Sequence, residues 1–114
     1  MSAYPPPPVP QKLREFLADY PDAIAAVEQS LVRYAGKPNM AMPFDGAIWA
    51  IEAVIEGLAL DAREAARSAK SNGDLSEAQT LEARETRLLH ARMGIIGRLD
   101  GLREHIADVW GVVP

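Results

Sequence analysis

Ser71-Asn72-Gly73-Asp74-Leu75-Ser76-Glu77 lies between two long runs of helical periodicity, and its reading decides the fold. Asn72-Gly73 supplies residues that tolerate a left-handed backbone, which a helix C-terminus commonly requires. Asp74 followed three residues later by Glu77 reads as the N-cap and capping-box pair of a new helix. A stop signal and a start signal in direct succession predict a tight reversal. The runs on either side then form an antiparallel helical hairpin.

Upstream of the turn, Ile48, Ile51, Ile55, Leu58, Ala62, Ala65 and Ala69 recur at alternating steps of three and four, the pattern of a coiled-coil seam. Trp49, Ala53 and Leu60 fall on nearly the opposite side, so the first half of this helix, about 45–71, needs neighbours on two sides. Its second half is apolar only along alanines and carries Arg63, Arg67 and Lys70 outward. Downstream, a helix over about 74–110 offers Ala78, Leu81, Leu88, Ile95, Leu99, Leu102, Ile106 and Val109 to the seam. Glu85 and Arg92 interrupt it, and polar seam residues of this kind can set register or oligomer state. The antiparallel return opposes Leu58 with roughly Leu88, and it places Asp61 to pair with Arg84. At about 1.5 Å per residue the last helix would be about 54 Å long, more than the rest of the chain can cover. An Ala/charge-rich arm should therefore protrude or meet another chain.

The N-terminal part supplies the base. Residues 1–9 hold Tyr4-Pro5-Pro6-Pro7-Pro8-Val9, which cannot join helix or sheet ladders and should be extended polyproline II. The expected role is a lead-in or a strap across the bundle, and the alternative is docking on an aromatic groove. With Pro10 as first helical residue, Leu13, Phe16, Leu17 and Tyr20 mark one short amphipathic helix, about 10–19. Ile24, Val27, Leu31 and Tyr34 mark a second, about 21–35, stopped by Gly36 and Pro38. The following loop carries Met40, Met42 and Phe44, adaptable apolar side chains suited to a binding surface or to folding onto the core. If Asp45 caps the third helix, Phe44 and Trp49 form a hydrophobic staple. The fold class is therefore all-α, with two short N-terminal helices packed on the base of a long antiparallel hairpin, and residues 10–114 form one domain.

Composition narrows the function. At 114 residues with 48% hydrophobic content, the chain has the size of one small domain. A formal net charge of −4 gives no electrostatic reason to expect nucleic acid. No stretch has the length of a membrane span or the pattern of a signal peptide, so a cytoplasmic location is expected. Cysteine is absent, which removes disulfides, thiolate metal sites and cysteine nucleophiles.

Candidates for chemistry are few. His90 and His105 stand over four helical turns apart and in no metal-binding motif, and neither a phosphate loop nor a nucleophile elbow occurs. Asp61-x-x-Glu64 and Glu82-x-x-Glu85 place paired carboxylates on two facing helices, where they could hold Mg²⁺ with several waters. This arrangement resembles the paired acidic motifs of all-helical nucleotide pyrophosphohydrolases of the MazG type. The resemblance covers four residues and departs from that pattern in its first member, aspartate, and its last, glutamate. It implies Mg²⁺-dependent phosphate chemistry as the alternative reading.

The preferred reading is a noncatalytic protein-binding module, an adaptor, regulator or inhibitor that self-associates as a homodimer or higher oligomer and needs no metal or cofactor. Its candidate surfaces are the Met40, Met42 and Phe44 loop, the arm with Arg63, Arg67, Arg84 and Arg87, and a stripe of Gly94, Gly97 and Gly101. Each glycine inside a helix costs roughly 0.5–1 kcal/mol against alanine, so three on one face suggest close approach of another backbone. A nucleic-acid role through the basic arm is the third reading.

Overall fold

The reversal at residues 71–74 is built as its residues predict, with one substitution of parts. The computed structural model describes residues 4–94 and 100–112. Among them it holds α1 (Gln11–Phe16), α2 (Pro21–Gly36), α3 (Pro43–Ser71), α4 (Leu75–Gly94) and α5 (Asp100–Asp108), and no strand. Gly73 takes φ 77° and its N–H donates to Lys70 O at 3.0 Å, while the Asp74 N–H donates to Ala69 O at 2.9 Å. These two bonds are a Schellman closure, which uses the orphan carbonyls at the end of α3. Asp74 Oδ1 accepts the Glu77 N–H at 3.1 Å and so caps α4. The capping box is not completed, because the Asp74 N–H that Glu77 would have taken is already used by Ala69.

The hairpin seam runs through Ile48, Ile51, Ile55, Ala59, Ala62, Ala66 and Ala69, all buried. Ala59 and Ala66 replace the expected Leu58 and Ala65, of which Leu58 is half-buried and Ala65 exposed. The cause is rotational: an unsupercoiled helix drifts ~20° per heptad, so the strict three-four alternation slides off the contact line. On the return, Ala78, Leu88, Ala91, Leu102 and Ile106 are buried, whereas the expected Val109 is exposed and Trp110 takes the interior place. Ile95 and Leu99 lie outside the described residues, as does the continuity of the expected single helix through them.

Ion pairs report the register. Lys70 Nζ lies 2.5 Å from Glu82, and Arg92 Nε lies 2.6 Å from Glu56. At the far end the Arg103 guanidinium sits over the Phe44 ring at 4.2 Å. These contacts run α4 antiparallel to α3 and set α5 against the start of α3.

The base is closed by α1, α2 and the N-terminal segment. Leu13, Leu17, Val27 and Leu31 pack with Phe44, Ile51, Ile55, Leu88 and Trp110 in one buried cluster. Each such large side chain contributes roughly 1.5–3 kcal/mol by leaving water. α1 ends at Phe16, shorter than expected, because the Tyr20 N–H turns back to Leu17 O at 2.8 Å before Pro21 opens α2. Pro10 caps α1 rather than joining it. Residues 4–9 cross the end of the bundle as a strap, with Pro7 and Val9 buried.

α3 begins at Pro43, two residues before the expected start. Asn39 Oδ1 accepts the N–H groups of Ala41 and Met42 at 3.1 and 3.2 Å, an Asx turn that delivers Pro43 into the first helical position. Asp45 is therefore not the N-cap. The staple is absent too: Phe44 is buried under Arg103, and Trp49 is 52% exposed. What pins this helix start is Tyr34, whose hydroxyl donates to Pro43 O at 2.7 Å and accepts the Asn39 N–H at 3.2 Å. Burial raises its phenol pKa above the ordinary value, so it remains a donor through neutral pH. Gly46 makes room for that ring, since a Cβ there would overlap the hydroxyl oxygen and lie 2.8 Å from Cζ.

Candidate interaction surface

α1 and α2 cover one side of the α3–α4 hairpin. On the covered side Arg84 forks onto Asp22 with bonds of 3.1 and 2.7 Å and lies over Tyr20, while Arg87 lies 4.2 Å from the centre of the Phe16 ring. Arg84 thus does not pair with Asp61, because the start of α2 brings a better-placed carboxylate. The guanidinium holds the Asp22 carboxyl below its ordinary pKa, mainly through the hydrogen bonds and against the opposing effect of burial. Both arginines fasten α1 and α2 to α4, so neither is a free contact residue.

On α4, Leu89 lies about 200° around from Arg87 at 100° per residue, and Met93 stands one turn further along the same line. Both are exposed, Met93 at 79%. On α3, Trp49 and Leu60 are eleven residues apart, which returns them to nearly the same angle, and Leu60 is 54% exposed. Between the two helices Arg92 binds Glu56 and approaches Glu52 Oε2 at 3.7 Å. Its buried Nε has no well-aligned hydrogen bond even though Glu56 is 2.6 Å away, so the contact is an ion pair of poor angle. Trp49 and Leu60 on α3 and Leu89 and Met93 on α4 are thus exposed apolar side chains on the two helices that this ion-paired cation bridges.

The remaining sequence candidates separate. Met40 and Met42 are exposed on the loop before α3, and Phe44 has left their company for the core. Arg63 and Arg67 line a shallow groove of about 360 Å³ on the arm, with Lys70 beside them and Glu82, Glu85 and Thr86 opposite. Acids on the facing wall offset that basic cluster. Gly94 ends α4, Gly97 lies outside the described residues, and Gly101 is exposed with open space where a Cβ would stand. No described part of the chain approaches Gly101 closely enough to require glycine.

The four carboxylates of the enzymatic alternative do not converge. Asp61 and Glu64 are exposed, Glu82 is held by Lys70, and Glu85 faces the arm groove. Among the described residues no three His, Asp or Glu side chains are grouped to hold a metal ion. His90 is exposed, and His105 is half-buried against the N-terminal strap. Sequence reasoning missed Trp110 and its ring contacts with Tyr4 and Tyr34. A tryptophan near residue 110 and a proline segment unable to join a helix were visible in the sequence, but nothing in their spacing pairs them.

The chain matches no protein-family model, and searches of the curated proteins and of the solved structures found no match. No described helix is long and apolar enough to cross a membrane.

Proposed function

We propose that this chain is a noncatalytic, cytoplasmic protein-binding module, a small adaptor, regulator or inhibitor, which associates with itself through exposed apolar side chains of its hairpin. The observation that carries the reading is the exposure of Trp49 and Leu60 on α3 and of Leu89 and Met93 on α4, the two packed helices of the hairpin. Scattered exposed apolar residues need no explanation. These four include a tryptophan and a methionine, residue types enriched in interface cores. The Met40 and Met42 loop and the Arg63 and Arg67 groove lie outside that set and remain as sites for a second partner.

Sedimentation equilibrium over a wide concentration range tests the reading. The wild-type chain should fit a dimer or higher oligomer, and Trp49→Glu with Met93→Glu should raise the dissociation constant at least tenfold. Gly97→Leu, run in parallel, should leave the mass unchanged if these residues and not the glycine stripe form the contact. A wild-type chain that stays monomeric at every concentration refutes self-association.

A further inference from the structure

The strap of residues 4–9 makes a specific set of contacts. Proline carries no N–H and polyproline II has no internal hydrogen bonds, so the carbonyls of such a segment are free to accept from elsewhere. The chain supplies the donors. Trp110 Nε1–H donates to Pro5 O at 2.7 Å, and His105 Nε2 stands 3.3 Å from the same oxygen. Tyr34 stacks with Trp110 at a centroid distance of 6.1 Å, and Tyr4, immediately before the prolines, packs on Trp110 at 5.0 Å. Pro7 is buried, and Trp110 is left only 6% exposed.

Aromatic planes paired with a ring N–H aimed at a proline carbonyl are the means by which protein grooves hold polyproline II peptides. We infer that Trp110, His105 and Tyr34 form a recognition groove for polyproline II segments with an aromatic residue ahead of the prolines. In the isolated chain the groove is filled in cis by residues 4–9, and a proline-rich segment of another protein takes their place when they lift. The seated segment itself defines the ligand chemistry. It joins α1 at Pro10 without a linker, so its effective concentration at the groove is of order millimolar or above. The intact chain is thus self-blocked, and a competing peptide needs either high local concentration or a loosened strap. This site lies at the end of the bundle and uses none of Trp49, Leu60, Leu89 and Met93, and its test does not depend on self-association.

The experiment uses the whole 114-residue chain labelled with ¹⁵N at its two tryptophans, read by the Trp110 indole N–H resonance at one fixed protein concentration. The probe is the capped heptapeptide Tyr-Pro-Pro-Pro-Pro-Val-Pro. In the Tyr4→Ala/Pro7→Gly variant the Trp110 resonance should leave its wild-type position, and the peptide should return it saturably. In the wild-type chain, where the strap already holds the resonance at that position, the same peptide should not move it, and a Gly/Ser heptapeptide should not restore the variant. If the double variant does not fold, Tyr4→Ala alone, which removes a half-buried side chain, serves the same comparison. A Trp110 resonance that the variant does not move, that the proline peptide does not restore, or that the Gly/Ser peptide restores equally would overturn the inference.

Discussion

Replacing Gly46 with alanine should destabilise the protein, although alanine is the better helix former. In the first turns of α3 the change alone would contribute about 0.5–1 kcal/mol of stability. The added Cβ, however, would overlap the Tyr34 hydroxyl oxygen and stand 2.8 Å from Cζ and 2.9 Å from Cε1. Tyr34 must then leave Pro43 O and the Asn39 N–H, two hydrogen bonds worth roughly 0.5–1.5 kcal/mol each. Moving a ring that also stacks with Trp110 adds an overpacking cost of roughly 1–3 kcal/mol. The net expectation is a loss centred at about 3 kcal/mol within a range of about 1–5.5 kcal/mol, or roughly 10–20 °C in Tm at the centre for a chain of this size. Urea denaturation followed by circular dichroism measures it as a shift in midpoint at unchanged slope. In a Tyr34→Ala background the obstacle is gone, and the same substitution should become stabilising by about 0.5–1 kcal/mol. A neutral or favourable Gly46→Ala with Tyr34 present, or an equal cost in both backgrounds, would refute the assignment of Gly46 as the clearance for Tyr34.

Gly73→Ala forces a β-carbon into φ 77° and should cost about 1–2 kcal/mol in the same urea assay, with nothing nearby to offset it. Because Arg84 lowers the folded-state pKa of Asp22, that pair's contribution is complete above the unfolded aspartate value of about 3.9 and is lost as pH falls through the folded value. Asp22 is 66% exposed, so the contribution is about 0–1 kcal/mol, and Arg84→Met should flatten the acid limb of the stability curve by no more than that; a steeper limb in the variant would contradict it. Millimolar Mg²⁺ should leave Tm within about 1 °C, since Asp61, Glu64, Glu82 and Glu85 do not converge, and a larger rise abolished by Glu64→Gln would revive the pyrophosphohydrolase reading. In a two-fold dimer centred on Leu60, Glu56 of one copy meets Arg63 of the other; Glu56→Lys or Arg63→Glu alone should weaken association in sedimentation, and the double reversal should restore it.

The hairpin was legible because its instructions are local. A glycine that can take positive φ, an aspartate three residues before an N–H to be capped, and apolar stripes at helical spacing each act within a few residues. What escaped depends on geometry accumulated over distance. Ala59 and Ala66 replace Leu58 and Ala65 through a drift of ~20° per heptad, which no single step of the pattern reveals. The start of α3 moved to Pro43 because Asn39, four residues upstream, offered a stronger organiser of the turn than Asp45. The strap found Trp110 from the other end of the chain, a pairing that spacing cannot show.

The surface was legible in kind and not in membership. The sequence states that the first half of α3 is apolar on two sides, and the structure covers one of them. Arg84 and Arg87 looked like free cations of a basic arm, yet α1 and α2 turn Phe16, Tyr20 and Asp22 toward them and make them the seal of the covered side. That seal indicates what the exposed apolar residues of α3 and α4 require. Arg92, between those helices, is already met by Glu52 and Glu56, so a partner need not bring an anion to it. One cation against two carboxylates leaves an excess of negative charge there, and burying it without an answering cation would be costly. A partner for these residues therefore has to combine an apolar face with a lysine or arginine near its centre. A second copy of α3, which carries Arg63 beside Leu60, brings both together.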